Sequence, residues 1–352
     1  MQRALQIALR GAGQVSPNPM VGAVIVRDGA IVGTGYHERY GEAHAEVNAL
    51  AEAGERARGA TIYVTLEPCN HHGRTPPCTD AIIAAGIARV VYAVDDPNPV
   101  AAGGAERLRA AGIDVTRGVL FEQAAEVNAP FLFNARGALR PFVTLKLATS
   151  IDGALVDATR KRGWLTGPAA REEVHRLRAM VDGIAVGAGT ARTDDPQLTP
   201  RGELQPRVPP LRVVFDRQAS LSDNSVLART ASQFSTVVVT DGSAPNDEAR
   251  LARHGIGIMR ADTIGEALTA LRAQGVQHLL VEGGAALASS FLSAGLVDRL
   301  IIFQAPVILG SGALPAFATL PPVSADDAPR LRVVSRRELG PDLMTIYAVS
   351  GE

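Results

Sequence analysis

The chain has 352 residues, a length that suggests about two domains. With 46 % hydrophobic residues, 20 % charged residues and a formal net charge of −1, it is neither a disordered tail nor a nucleic-acid coat. Two cysteines cannot build a disulfide-rich secreted scaffold, so any special role for them is metal binding or chemistry in a reducing compartment.

From the N-terminus, MQRALQIALRGAG is interrupted by Arg3 and Arg10 and reads as a short amphipathic helix, without the apolar core of a signal peptide. Residues up to about 120 then alternate apolar strand runs with helical patterns. The strands are VGAVIVRDG, AIVGTGYHE, ATIYVTLEP, ARVVYAVDD and IDVTRGV. The helices run from about Ala43 to Ala53, from about Cys78 to Ala85 and around Ala105 to Ala111. This is a sheet carrying helices, an α/β design. The segment FEQAAEVNAPFLFNARGALRP holds Pro130, Gly137 and Pro141 and separates this set from a second one, which puts a domain boundary near residue 140.

The second half continues with strands PFVTLKLATS, DGIAVGAGT, LRVVFD, STVVVTD, VQHLLVE and VDRLIIFQAP. Helices are expected over AAREEVHRLRAM, NDEARLARHG, IGEALTALRAQG and AALASSFLSAG. LRVVSRRE and LMTIYAV form a closing antiparallel pair. The uncharged run from Leu300 to Ala325 is long enough to span a bilayer, but Pro306, Pro315, Pro321 and Pro322 forbid a continuous helix. A cytoplasmic protein without a membrane partner is the expectation.

The strongest chemical signal is GEAHAEVNAL followed by LEPCNHHGRTPPC. His44, Cys69 and Cys78 supply one imidazole and two thiolates, a set that leaves tetrahedral Zn²⁺ one open position, the mark of a catalytic site. Glu46 lies two residues after His44, roughly 200° away around a helix, so both cannot face a metal from mid-helix. With His44 at the helix start, His44 can ligate while Glu46 serves as a proton shuttle. Cys78 follows Pro76 and Pro77 and opens a helix, whose N-terminus favours a thiolate. H-x-E followed by P-C-x-x-C is the zinc deaminase signature; here eight residues separate the two cysteines instead of two.

NHHGRTPP between the cysteines, with SPNPMVGAV near the start and DDPNP after the fourth strand, closely resembles the deaminase half of the bifunctional riboflavin-biosynthesis deaminase/reductase family. The resemblance implies a cytidine-deaminase-like domain over residues 1–140. It also implies hydrolytic loss of the 2-amino group from a diaminopyrimidinone carrying a ribosylamino 5′-phosphate, with Glu46 moving protons. Matching positions place Asn18, His37, His71, Arg74, Asp96 and Asn98 in the substrate pocket. Asn18 suits a pyrimidinone edge, Arg74 a phosphate, and Asp96 and Asn98 ribose hydroxyls. His72 reads as a solvated loop histidine, and a local Asx-turn is the competing reading of Asn18 and Asn98.

In VQHLLVEGGAALASSFLSAG an apolar strand ends in Glu282-Gly283-Gly284 and a helix begins at once, a geometry in which backbone N–H groups can meet a phosphate. GAGT at Gly187 to Thr190 is not a Rossmann fingerprint, because Arg192 stands where the third glycine belongs. The order KLATSIDG, WLTG, HRLR, VGAGTARTDDPQLT, RVVFD and VEGG resembles the reductase half of the same family. That resemblance implies a dihydrofolate-reductase-like domain over residues 141–352, with NADPH as cofactor.

By matching positions, Ala148, Trp164, Thr190, Asp194, Gly284, Ala285, Ala286, Leu287, Ala288, Ser289 and Ser290 contact the dinucleotide. Arg178, Leu198, Arg201 and Glu282 contact substrate, and Lys146 lies beside the reacting sugar. Arg178 and Arg201 supply charge for the 5′-phosphate; Lys146 or Glu282 supports ring opening. Arg162 stands where the family often has serine.

Two other readings compete. A nucleic-acid deaminase shares the first-half chemistry, but the balanced charge and the missing basic or aromatic run oppose it. A purely structural zinc site needs His71 or His72 as a fourth ligand and gives Glu46 no reason to exist. The expected partners are small-molecule pyrimidine ribosyl phosphates, with no nucleic acid, and a homo-oligomer is allowed.

Overall fold

The computed structural model describes residues 1–73, 76–160 and 163–349. The chain separates into two compact units, residues 1–138 and 139–352.

In the first unit α1 (Gln2–Ala8) precedes β1 (Gly22–Arg27), β2 (Ala30–Tyr36), α2 (Ala45–Ala53), β3 (Thr61–Leu66), α3 (Cys78–Ala84), β4 (Arg89–Val94), α4 (Gly104–Ala110) and β5 (Asp114–Arg117). The five strands form one sheet in the order β2-β1-β3-β4-β5. β1 pairs antiparallel with β2 and β3, while β3, β4 and β5 run parallel. Ile25, Ile62, Val64 and Val90 are wholly buried in the core between sheet and helices. These near-continuous apolar runs are what strands covered on both faces require.

α2 lies very close to β2: a Cβ on Gly35 would fall 2.3 Å from the Ala45 carbonyl oxygen and 2.4 Å from the Ala49 nitrogen. Only glycine permits that approach, and it brings the start of α2 to the sheet.

The segment read as a separator instead carries α5 (Phe121–Val127) and α6 (Ala129–Ala135), both within the first unit. Pro130 sits at the second position of α6, where a missing N–H costs no intrahelical bond.

The second unit contains β6 (Phe142–Thr149), β7 (Ala154–Val156), α7 (Pro168–Ala179), β8 (Gly183–Gly187), α8 (Ala188–Asp194), β9 (Leu211–Phe215), α9 (Val226–Arg229) and β10 (Thr236–Thr240). It continues with α10 (Pro245–Arg253), β11 (Gly257–Arg260), α11 (Ile264–Ala273), β12 (His278–Glu282), α12 (Ala285–Ser293), β13 (Arg299–Gln304), β14 (Leu314–Pro315), β15 (Arg332–Leu339) and β16 (Asp342–Ala348).

Nine strands form a sheet in the order β11-β10-β9-β8-β12-β6-β13-β16-β15, and β14 pairs with β7 apart from it. From β11 to β13 the neighbours are parallel; β16 and β15 close the edge antiparallel, as the sequence predicts. Arg140, at the entrance to this unit, binds both carboxylate oxygens of Asp298 at 2.6 and 2.8 Å, and Asp298 also accepts the Val143 N–H. Among the described residues no helix is long and apolar enough to cross a membrane.

Candidate active sites

In the first unit the side chains converge where α2 and α3 begin, beside the C-terminal end of β3. His44 is the N-cap residue of α2, with extended backbone (φ −75°, ψ 164°), so its imidazole departs from the helix while Glu46 enters its first turn. This resolves the angular conflict noted from the sequence. Cys78 opens α3 directly after Pro77.

The donor atoms of His44, Cys69 and Cys78 all lie within 4.8 Å of one another. His44 Nδ1 is 3.2 Å from Cys78 Sγ and 3.5 Å from Cys69 Sγ. A tetrahedral ion holding nitrogen and sulfur near 2.1 and 2.3 Å separates its donors by roughly 3.6 Å, so the three fit zinc in donor type and spacing. Among the described residues the cluster has these three members, short of the four that close a structural site.

Electrostatics reinforce the picture. Glu46, 3 % exposed, is pushed up to about 7, chiefly by burial and then by the Cys69 sulfur. The Cys69 thiol falls to about 4 because Cys78 donates a hydrogen bond to it, with burial opposing and His44 assisting. Cys78 is raised by the same bond and by burial.

The Asn18 side-chain amide donates to His37 Nε2 at 3.2 Å, and His37 Nδ1 donates to the Ala43 carbonyl at 3.1 Å. The His37 ring meets His44 edge-on with centroids 5.5 Å apart. Asn18, His37 and His44 therefore form one connected line.

Asp96 and Asn98 lie beyond the end of β4 and do form Asx turns: Asp96 Oδ1 accepts Asn98 N–H and Asn98 Oδ1 accepts Val100 N–H. Among the described residues the buried His71 Nδ1 has no hydrogen-bond partner, and His72 is exposed. Arg74 lies outside the described residues. Glu67, which no motif argument singles out, accepts backbone N–H groups from Asp96 and Ala105.

In the second unit the C-terminal ends of the adjacent strands β8, β12 and β6 gather the predicted residues. The register pairs Glu282 with Lys146 across β12 and β6, and Lys146 Nζ lies 3.2 Å from Glu282 Oε2. Arg178 of α7 binds the same carboxylate through Nε at 2.6 Å and Nη2 at 3.0 Å. Burial opposes ionisation of Glu282, but Arg178 and then Lys146 hold it far below the ordinary carboxylate range. Arg178 is thus committed to Glu282, with Nη1 donating to the Thr199 carbonyl at 3.4 Å.

Leu198 is buried with φ +53°. Arg201 is exposed and donates to Gln197 Oε1 at 2.8 Å.

Gly284 is the N-cap of α12, with no side-chain cap. A Cβ there would meet Thr190 Oγ1 at 3.4 Å, so two predicted cofactor contacts meet at the start of α12, where the first-turn N–H groups have no intrahelical partner. Ala288 and Ser289 lie on the buried face of α12, and Ser290 Oγ donates to its own helix at Ala286. Asp194 ends α8, and Ala148 is half-buried on β6. Trp164 is 75 % exposed, with the Arg171 guanidinium 5.0 Å from its ring centroid. Arg162 lies outside the described residues.

These two sites define a zinc-dependent pyrimidine deaminase joined to a reductase. The family description "Cytidine and deoxycytidylate deaminase zinc-binding region" matches residues 1–94, and "RibD C-terminal domain" matches residues 141–345. The chain is 41 % identical over 351 residues to the riboflavin biosynthesis protein RibD of Aquifex aeolicus, covering 99 % of this chain and 97 % of that protein. It is 42 % identical to RibD of Escherichia coli, covering 97 % and 96 %.

Solved structures are similar over 99 % of the chain. Acinetobacter baumannii RibD has a TM-score of 0.84 at 36 % identity, with 98 % of that chain covered. The diaminohydroxyphosphoribosylaminopyrimidine deaminase/5-amino-6-(5-phosphoribosylamino)uracil reductase of Thermotoga maritima has a TM-score of 0.85 at 35 % identity, with 97 % covered. The chain belongs to the RibD family of bifunctional riboflavin-biosynthesis deaminase/reductases.

Proposed function

We propose that residues 1–140 form the deaminase domain and residues 141–352 the reductase domain, each with its own catalytic centre. The observation that carries this reading is the meeting of His44, Cys69 and Cys78 beside buried Glu46 in one unit, with the Lys146–Glu282–Arg178 cluster in the other.

The first centre removes the 2-amino group from 2,5-diamino-6-ribosylamino-4(3H)-pyrimidinone 5′-phosphate. His44, Cys69 and Cys78 hold zinc, which when bound supplies Lewis acidity that makes water a nucleophile at neutral pH. Glu46, buried beside the ligand set, accepts a proton from water and passes it to the ring nitrogen, then takes the proton of the new hydroxyl and passes it to the amine, which leaves as ammonia as the C2–N bond breaks and the carbonyl forms. Asn18 binds the ring edge while His37 and His71 line the pocket; Arg74 binds the phosphate, and Asp96 and Asn98 the ribose.

The second centre reduces the ribosyl group to ribityl. NADPH supplies the hydride, and Ala148, Trp164, Thr190, Asp194 and Gly284 to Ser290 hold it. Arg201 binds the 5′-phosphate, with Arg178 and Leu198 completing the substrate contacts. Lys146, with an ammonium donor facing the Glu282 carboxylate, moves the proton that opens the sugar. The substrates are small phosphates rather than nucleic acid, in keeping with the balanced charge, and two free buried thiols suit the reducing cytoplasm.

Parallel assays of ammonia release and NADPH oxidation test the assignment. Glu46→Gln retains zinc and loses deamination, by about two to four orders of magnitude. Cys78→Ser loses zinc as well. Both variants oxidise NADPH normally when the already deaminated pyrimidine is supplied; a folded Cys78→Ser protein deficient in both reactions overturns the two-centre reading.

A further inference from the structure

We propose that Glu67 is a positioning residue for deamination: its carboxylate holds the loop carrying Asp96 and Asn98 in register with the zinc-ligand segment. This inference rests on the reading above that Asp96 and Asn98 touch the ribose.

Glu67 follows β3 directly and is 7 % exposed. Among the described residues no Lys, Arg or His forms an ion pair with it, an expensive state for a carboxylate unless hydrogen bonds replace its water. They do. Oε2 accepts the Asp96 N–H at 3.2 Å and Oε1 accepts the Ala105 N–H at 2.9 Å, while Glu67's own N–H donates to the Val94 carbonyl at 2.9 Å. One side chain thereby ties both ends of the segment from residue 96 to 105 to the end of β3, two residues before Cys69.

The remaining contacts run along the same seam. Asn70 N–H donates to the Ala101 carbonyl at 3.0 Å. Gly104 approaches the Pro68 carbonyl so closely that a Cβ would fall 1.9 Å from its oxygen. Fixing the Asp96 backbone also fixes Asn98, because Asp96 Oδ1 accepts the Asn98 N–H at 2.9 Å. The parallel register of Leu66 with Val94 sets both segments at the C-terminal ends of neighbouring strands, where ligands bind in sheets of this kind. Serving two diverging N–H groups takes two acceptor oxygens and no donor, which a carboxylate offers and an amide does not.

The test is steady-state ammonia release by the full zinc-loaded chain. Glu67→Gln keeps the volume but turns one acceptor into a donor facing an N–H; its KM should rise about ten-fold, with kcat within about two-fold. Zinc content and NADPH oxidation stay unchanged. Glu67→Asp keeps the charge but falls one methylene short, and shows the same KM rise should the amide variant fail to fold. If Glu67 acts through the loop, Glu67→Gln combined with Asn98→Ala is no worse than the more impaired single variant.

An unchanged KM in a folded Glu67 variant, while Asn98→Ala raises it, overturns the inference alone; so do losses that multiply in the double variant. Unchanged KM values in both Asp96→Ala and Asn98→Ala overturn the ribose reading and the inference with it.

Discussion

Arg201 reaches solvent on the loop after α8 and donates to Gln197, whereas Arg178 spends two of its donors on Glu282. The free charge for a phosphate therefore belongs mainly to Arg201. Arg201→Ala should raise the KM of reduction by about one to two orders of magnitude, the loss of one charge-assisted hydrogen bond worth roughly 1.5–3 kcal/mol. Unchanged reduction kinetics would remove Arg201 from the site. The zinc set was legible at this scale because a metal needs particular residue types at short, motif-sized spacings. Glu67 was not, because its partners are backbone N–H groups 29 and 38 residues away, and backbone donors leave no trace in a sequence. The commitment of Arg178 to Glu282 was hidden because 104 residues separate the pair.

Helix α2 shows how an element delivers chemistry. It presents His44 before its first turn and Glu46 within it, and its seat on β2 depends on Gly35. Gly35→Ala forces a methyl against the Ala45 and Ala49 backbone and should cost about 1–3 kcal/mol. As α2 shifts, zinc should be lost to a chelator faster than from the unchanged protein; thermal unfolding and zinc retention read the two effects. Apolar strand runs and long helices of the second unit were legible from periodicity. Strand order was not, since β12 lies between β8 and β6 through contacts that no local pattern encodes. Helices α5 and α6 were hidden by the breakers read as a separator, and α8 begins in a glycine-containing stretch with little apolar periodicity.

For the molecule as a whole, groups of opposite sign compete: Glu46, raised to about 7 in the fold, favours the folded chain as pH falls toward its ordinary value, whereas His278 in the second unit works the other way. Burial pushes the His278 imidazole, bonded to Thr144 Oγ1 at 2.9 Å, down to about 4. Between that value and the ordinary 6.5 the unfolded chain takes up a proton that the folded chain refuses, so stability falls as pH falls. One pH unit below 6.5 the loss is roughly 1 kcal/mol. Glu282 adds to it at lower pH, because its depressed folded value makes its contribution full above about 4.5 and lost below. Thermal unfolding at pH 7.5 and 5.5 checks this: His278→Gln should show a smaller drop than the unchanged chain, and equal drops would exclude His278 as the source.

Trp164 is the chain's sole tryptophan, so its emission reports on one spot in the second unit while the first is silent at that wavelength. Its ring stands largely in solvent beneath Arg171, at a position the proposed function gives to the dinucleotide. Adding NADPH should quench this light saturably, with energy passing to the nicotinamide. The protein thus carries its own optical gauge of cofactor occupancy, one that should read the same after zinc is stripped from the other unit; undimmed emission at saturating NADPH would place Trp164 away from the cofactor.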